Sequence, residues 1–259
     1  MLRTLVIIPT YNERENIGSI VGRLRASVPE AEVLVVDDGS PDGTGEIADA
    51  LAATDENVSV LHRSGKEGLG AAYRAGMRQA LDAGYDAIVE MDADGSHQPE
   101  QLPALLGTLR SVDSPDGADV VLGSRWVDGG GVVNWPARRR LISRGGSAYS
   151  RIALGLPVRD VTGGYRAFTA DALRRLHFER TESQGYCFQI DMTRRAYDAG
   201  LSIVEVPITF VERERGASKM GGGIVAEAML RVTLWGLVGL PHRFRRRPTP
   251  AEVEPIRRA

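Results

Sequence analysis

Leu5-Val6-Ile7-Ile8-Pro9-Thr10-Tyr11-Asn12-Glu13 opens the chain with a short apolar run that ends in polar turn residues and not in glycines. A bounded apolar run of this length reads as a buried strand. Val33 to Val36, Val58 to Leu61 and Ile88 to Met91 read the same way. Segments near 13–27, 43–53 and 69–83 repeat apolar residues at helical spacing, so the first half reads βαβαβαβ, the pattern of an α/β fold with a parallel sheet. A fifth strand is expected at Asp119 to Leu122, after a helix near 99–110. Asn12 and Glu15 have capping-box spacing, and Ser40-Pro41-Asp42-Gly43 is a turn that starts a helix. The end of the first strand also excludes two nucleotide-binding designs. A dinucleotide fold needs G-x-G-x-x-G at this turn and a P-loop needs G-x-x-x-x-G-K-[ST]; neither occurs in the chain.

The second half has a different character. Gly129-Gly130-Gly131 makes a flexible loop, a long helix is expected from Ala137 to Leu154, and further helical patterns lie near 188–199 and 224–238. The sequence of 259 residues, 42% hydrophobic and 25% charged, is long enough for one large domain with a C-terminal extension. A net charge of -2 argues against nucleic acid as a partner. The single Cys187 excludes an internal disulfide framework and suits a reducing, cytoplasmic setting. The N-terminal apolar run is too short for a signal peptide. Val232 to Leu240 falls far short of the roughly 20 residues that span a bilayer.

Two acidic motifs close strands. Val36-Asp37-Asp38-Gly39-Ser40 sets carboxylates at the carboxyl end of the second strand, where open α/β sheets bind ligands; a helix-starting turn gives the same letters. Met91-Asp92-Ala93-Asp94-Gly95-Ser96-His97 closes the fourth. Two carboxylates one residue apart can lean on one hard cation if the chain turns sharply between them, and such an ion would neutralise a diphosphate leaving group. A pair of turn-forming Asp residues is the alternative. An EF-hand is excluded, because its sixth position would be His97 and its bidentate position Pro103. The four histidines make no metal-ligand spacing, and His97 alone adjoins the acidic pair.

In order and spacing, Pro9 to Glu13, Val36 to Ser40, Gly68-Leu69-Gly70 and Asp92-Ala93-Asp94 resemble the family 2 glycosyltransferases with the GT-A fold. Gly123-Ser124-Arg125, Asp160-Val161-Thr162-Gly163-Gly164-Tyr165-Arg166, Gly185 to Gln189 and Arg213 to Lys219 resemble the dolichol-phosphate mannose synthase branch. The likeness covers residues 3–222. It implies a mostly parallel sheet flanked by helices, with a C-terminal amphipathic extension: a catalytic domain over 1–222, a membrane- or partner-contacting helix over 223–242 and a basic, disordered tail over 243–259. It implies inverting transfer of mannose from GDP-mannose to a polyprenyl phosphate. Pro9, Tyr11, Glu13, Val36 and Asp38 then match guanosine-holding positions. Asp92 and Asp94 match the pair that binds Mg²⁺ or Mn²⁺, with the Ala93 backbone against the nucleotide. Arg125, Arg213 and Lys219 match basic residues around the phosphates. Where many relatives carry Gln, this chain has Ser96, whose hydroxyl can still reach a metal. A UDP-hexose donor and a catalytically silent nucleotide-sugar-binding module are the rival readings.

A phosphate monoester acceptor is already ionised, so such an enzyme needs cations near two phosphates more than it needs a general base. Ser124, Arg139 and Arg140 are the candidates for the acceptor phosphate. On the helix from Ala137, Arg140, Arg144 and Arg151 share one side, and Leu141, Ile142, Ala148, Tyr149, Ile152 and Leu156 the other. That pattern fits a foot on the cytoplasmic face of a membrane, and equally a helix packed on the sheet. Ile224, Val225, Ala228, Met229, Val232 and Trp235 form a second stripe, which leads to His242 and an arginine cluster. The stripe reads as a contact with lipid or with a membrane protein.

Overall fold

In a computed structural model, the described residues are 2–181, 186–213 and 222–243. The four apolar runs become β1 (Thr4–Thr10), β2 (Glu32–Asp37), β3 (Val58–His62) and β4 (Ala87–Glu90), joined by α1 (Ile17–Ser27), α2 (Thr44–Thr54) and α3 (Leu69–Asp82). A 3₁₀ turn (Pro99–Gln101) leads into α4 (Leu102–Thr108), followed by β5 (Val120–Ser124), β6 (Gly131–Val133), α5 (Ala137–Leu154) and β7 (Arg166–Thr169). The chain continues through α6 (Ala170–Leu176), α7 (Tyr186–Asp198), β8 (Ile203–Pro207), β9 (Thr209–Val211) and α8 (Gly222–Arg243).

Seven strands form one sheet in the order β3-β2-β1-β4-β7-β5-β8, and β6 pairs with β9 in a small second sheet. Only β7 runs antiparallel, between β4 and β5. Both faces of the inner strands are covered, which is why β1, β2 and β4 read as continuous apolar runs, whereas the edge strand β3 leaves Ser59 and His62 exposed. Ile7, Leu34, Ile88 and Phe168 pack on one side with Tyr73, Met77 and Phe188 of α3 and α7. Val6, Ile8, Val33 and Val89 pack on the other with Ile17, Ile20 and Leu24 of α1.

One sequence expectation is corrected. The first helix starts at Ile17 and not at 13, because residues 12–14 spend their amides on the β2–α2 turn. Asn12 takes a left-handed conformation (φ 57°); its N–H donates to Ser40 Oγ at 3.0 Å, that of Glu13 to Thr44 Oγ1 at 2.9 Å and that of Arg14 to Asp42 Oδ2 at 3.2 Å. No capping box forms, and the first two loops are tied together. α5 has the expected bounds, Ala137–Leu154; it buries Ser147, Ser150 and Leu154 and leaves Leu141, Ile142, Ala148 and Ile152 of the apolar side exposed. Small residues let α8 approach closely: a Cβ on Gly236 would lie 2.7 Å from the Ala153 carbonyl oxygen. Among the described residues no helix is long and apolar enough to cross a membrane. The expected tail lies outside them from residue 244 on.

β4 and β7 set Glu90 opposite Arg166 in register. Both side chains are fully buried, and neither Glu90 oxygen has a hydrogen-bond partner among the described residues. Burial pushes the Glu90 carboxyl up to about 7, against the opposing pull of Arg166.

These contacts generate two predictions. Gly76 of α3 faces β1 so closely that an added Cβ would sit 2.8 Å from Ile7 Cγ2. Gly76→Val should cost about 1–3 kcal/mol by overpacking, roughly 2–12 °C in Tm for a domain of this size; an unchanged Tm would refute the close approach. Glu90, with its raised folded pKa, stabilises the protein fully below its ordinary value of 4.5 and loses that contribution as pH rises through about 7. Glu90→Gln should therefore flatten the stability–pH curve between 5 and 7. Denaturant midpoints that run parallel for the two proteins over that range would rule this out.

Candidate active site

The site lies at the carboxyl ends of β1, β2 and β4, where the loops after parallel strands converge. β4 delivers Asp92 and Asp94 in the turn that follows it. Gly95 adopts a positive φ of 75°, and the turn it permits brings the Ser96 N–H to Asp94 Oδ1 at 3.0 Å. Asp92 is walled in. Tyr73 O–H donates to its Oδ1 at 3.3 Å, its own N–H donates to His97 Nδ1 at 3.0 Å, and a methyl on Gly164 would come within 3.7 Å of its Oδ2. His97 stacks on Tyr165 with ring centroids 4.9 Å apart. Burial holds its pKa below the ordinary value despite the two aspartates, so the ring is a neutral acceptor and not a charged partner.

The two carboxylates differ electrostatically. Burial is the largest influence on both. It raises Asp92, and the neighbouring Asp94 carboxylate raises it further. At Asp94, hydrogen bonding from Ser96 and the Arg213 guanidinium outweigh burial and keep the group below the usual carboxylate range. Arg213 Nη2 stands 3.0 Å from Asp94 Oδ2. Ser96 Oγ is buried with no hydrogen-bond partner among the described residues. Two carboxylates and an orphaned hydroxyl in one turn are hard oxygen donors, and they fit Mg²⁺ or Mn²⁺ provided that substrate oxygens complete the shell. Among the described residues no group of three or more His, Cys, Asp and Glu offers an all-protein metal cage.

The two aspartates closing β2 divide their work. Asp37 is structural, accepting from Thr10 Oγ1 at 3.0 Å, Ser40 Oγ at 2.5 Å and the Ser40 N–H at 3.1 Å. Asp38 meets the Arg63 guanidinium at 2.5 Å; its pKa is raised because burial outweighs that attraction. Lys66 Nζ lies 4.5 Å over the Tyr11 ring, and half-buried Pro9, buried Val36 and buried Glu13 complete this corner. Sequence reasoning missed Arg63, which belongs to no motif; Lys66 lies in Gly65-Lys66-Glu67-Gly68-Leu69-Gly70, a phosphate-friendly stretch whose spacing fits neither a dinucleotide fold nor a P-loop. Ala93 and Asp94 also border a cavity of about 290 Å³ that reaches Asn16, Arg23 and Glu212.

The basic candidates separate. Arg125 is turned inward, only 5% exposed, with bidentate bonds of 2.7 Å to the wholly buried Asp160. Arg125 outweighs burial at Asp160 and holds that carboxyl low. Ser124 is fully buried at the end of β5, where its hydroxyl accepts the Trp126 N–H at 3.3 Å. Arg140 is exposed. Arg139 lies 4.3 Å over the Trp135 ring and pairs with Glu212. Lys219 lies outside the described residues.

The glycosyl transferase family 2 signature matches residues 5–176. The chain is 60% identical over 236 residues to the undecaprenyl-phosphate mannosyltransferase of Micrococcus luteus, covering 91% of this chain and 95% of that one. It is 54% identical over 244 residues to the polyprenol monophosphomannose synthase of Mycolicibacterium smegmatis, covering 94% and 90%. Its fold matches glucosyl-3-phosphoglycerate synthase from Mycobacterium tuberculosis, crystallised with Mn²⁺, UDP-glucose and phosphoglyceric acid (TM-score 0.65, 22% identity, 92% and 79% covered). It also matches a Pyrobaculum calidifontis mannosyltransferase in complex with GDP-Man and Mn²⁺ (TM-score 0.56, 19% identity, 96% and 77% covered). At these identities the solved structures speak for the GT-A fold alone, whereas the sequence relatives and the signature establish that the chain belongs to glycosyl transferase family 2, on the branch of the polyprenyl-phosphate mannose synthases.

Proposed function

We propose that this chain is an inverting polyprenyl-phosphate β-mannosyltransferase, moving mannose from GDP-mannose to the phosphate of a polyprenyl phosphate. Two relatives at 60% and 54% identity carry names of that activity. The observation that carries the reading is the dipeptide Glu212-Arg213. Arg213 touches the acidic pair at Asp94, and Glu212 touches Arg139 on the Trp135 wall. A carboxylate pair suited to a metal-bound diphosphate and a guanidinium suited to a second phosphate thus adjoin the same two residues.

The chemistry needs no proton transfer. A phosphate oxygen of the acceptor attacks the anomeric carbon from the side opposite GDP; the new C–O bond forms as the bond to the diphosphate breaks, and GDP leaves with the electron pair. His97 is engaged by the Asp92 amide, in keeping with a reaction that requires no base. Asp92, Asp94 and Ser96 would hold Mg²⁺ or Mn²⁺, which supplies charge neutralisation at the departing diphosphate. Arg213 and Lys219 serve the same phosphates, and Arg139 orients the acceptor. Buried Arg125 acts through Asp160 and the Trp126–Trp135 wall, which fixes the floor under Arg139. Pro9, Tyr11, Glu13, Val36 and Asp38, with the Ala93 backbone, form the guanosine side.

The acceptor is a lipid, so the protein works at a membrane surface. Leu141 and Ile152 on α5 and Leu234, Leu237 and Val238 on α8 are exposed large apolar residues on two helices packed against each other. Exposed Arg140, Arg144 and Arg151 accompany them. Such a surface suits peripheral binding to anionic lipid at the cytoplasmic face. The catalytic domain then ends near 222, and the helix over 223–242 belongs to the membrane side.

Asp94→Asn should lower turnover by about a hundredfold or more and abolish Mn²⁺-dependent GDP binding, with Tm changed by only a few degrees, because one ligand charge is removed from the cation. Titrated against Mn²⁺, near-normal activity of that variant would take the metal out of the reaction. The donor is tested by thermal shift. At 100 times its dissociation constant GDP-mannose should stabilise the protein by about 2.7 kcal/mol, and UDP-glucose at equal concentration should not. The reverse result would leave a family 2 transferase with a different donor.

A further inference from the structure

Glu212 takes no part in the transfer itself, yet it stands where the second phosphate would dock. Its backbone is fixed: the Glu212 N–H donates to the Val133 carbonyl at 3.0 Å, and the preceding Val211 N–H donates to the Ser96 carbonyl at 3.2 Å. Its carboxylate pairs with Arg139, the two side chains are 23% and 25% exposed, and Glu212 itself lines the cavity that Ala93 and Asp94 border. Arg139 is braced from behind by Trp135, which is itself held edge-on by Phe210 at 5.2 Å. The Trp135 indole nitrogen is buried with no hydrogen-bond partner among the described residues. Arg139 is therefore already positioned for an anion, and the anion in front of it belongs to the chain.

We propose that Glu212 is an internal competitor for the phosphate position at Arg139, and that it sets a preference for a doubly charged phosphate monoester over a singly charged diester. The proposal rests on the reading that Arg139 meets the acceptor phosphate. Any anion that takes Arg139 must displace a carboxylate of charge minus one. A monoester, with a second pKa of about 6, carries nearly two charges at neutral pH and gains from the exchange. A diester carries one and gains little. Transfer turns the first into the second, because the new glycosyl bond uses a phosphate oxygen and removes one negative charge. Glu212 recovers Arg139 as the product forms, which promotes release. The device works by repulsion as much as by attraction, as specificity often does.

The test compares a short, water-soluble prenyl monophosphate with its methyl diester, each titrated onto the full chain with GDP and Mn²⁺ at pH 7.5. The wild-type protein should favour the monoester by at least about tenfold, the effect of one charge-assisted contact. Glu212→Gln keeps the shape and should tighten diester binding by about tenfold, narrowing that ratio and strengthening inhibition by polyprenyl-phosphate mannose. Lowering the pH through about 6 should narrow the ratio in the wild type and hardly at all in the variant. An unchanged ratio in Glu212→Gln overturns the proposal. So does loss of monoester binding at an unchanged Tm, which would make Glu212 a support for Arg139. Should Glu212→Gln fail to fold, Glu212→Asp, with the carboxylate withdrawn by one methylene, should give an intermediate ratio, and a wild-type ratio there is equally fatal. Arg139→Gln separates the two ideas: if it binds monoester as the wild type does, the acceptor phosphate sits elsewhere and the acceptor-site reading fails, whatever Glu212 does.

Discussion

The guanidinium of Arg166 is fully buried and solvated by the backbone. It donates to the carbonyls of Gly163 at 2.8 Å, Gln189 at 2.8 Å and Val161 at 2.9 Å, and to Thr193 Oγ1 at 3.1 Å. Burial lowers its pKa to about 10, which still leaves it charged at neutral pH. A buried cation that loses its partners costs about 3–5 kcal/mol, so the loop from Val161 to Gly164 and the start of α7 are held where these bonds require. That loop sets Asp160 against Arg125 and Gly164 against Asp92 and His97. One charge inside the sheet thus aligns the acidic turn with the aromatic and basic wall across the cleft.

The antiparallel strand β7 makes this possible. A parallel strand between β4 and β5 would carry the start of its own crossover over the carboxyl end of the sheet. Because β7 runs the other way, it enters at that end, and the residues just before it are free to form the floor beneath Asp92. The pairing also forces Glu90 opposite Arg166. Glu90 gains proximity to a cation, yet burial outweighs that attraction, and Asp92 two residues on adds a like charge that raises it further. A dry, acidic turn of this kind binds a divalent cation more strongly than an exposed one, since little solvent screening remains.

Three of the sheet's first four strands, β1, β2 and β4, were legible because each is buried on both faces and therefore reads as an unbroken apolar run, while the edge strand β3 showed as a short apolar run interrupted by Ser59. The acidic turn was legible because a carboxylate at a strand end has a chemical reason to be there. What failed to show had different causes. β7 and β9 are short and their residues lack a distinct period, and β8, though as long as β3, is only half-buried and carries Glu205 at its centre. The late start of α1 depends on amides of residues 12–14 reaching a turn some thirty residues away, and no local spacing encodes that. Arg125, which belongs to a basic motif, is neutralised by Asp160 thirty-five residues on, so its charge was visible but its partner was not. Glu212 and Trp135 become meaningful only once β6 and β9 pair.

Pairing within the protein changes what substrate binding means energetically. Arg125 faces Asp160, Arg139 faces Glu212, Arg213 faces Asp94 and Arg63 faces Asp38. Anionic ligands therefore exchange one counter-ion for another and do not simply neutralise waiting positive charge. Exchange weakens binding in proportion to the strength of the pair broken, yet it keeps each guanidinium in its working rotamer, which lowers the ordering cost when the ligand arrives. The four pairs are unequal in this respect. Arg125–Asp160 is bidentate and almost wholly buried, so breaking it would strand a charge and it behaves as framework. Arg139–Glu212 and Arg213–Asp94 are each partly open and adjoin the cleft, so they can trade partners. Because residues 212 and 213 are consecutive, the Arg139–Glu212 and Arg213–Asp94 pairs share one short segment. On the proposed assignment of a metal ion to Asp94 and the acceptor phosphate to Arg139, the donor and acceptor sites would be linked by sequence as well as by space.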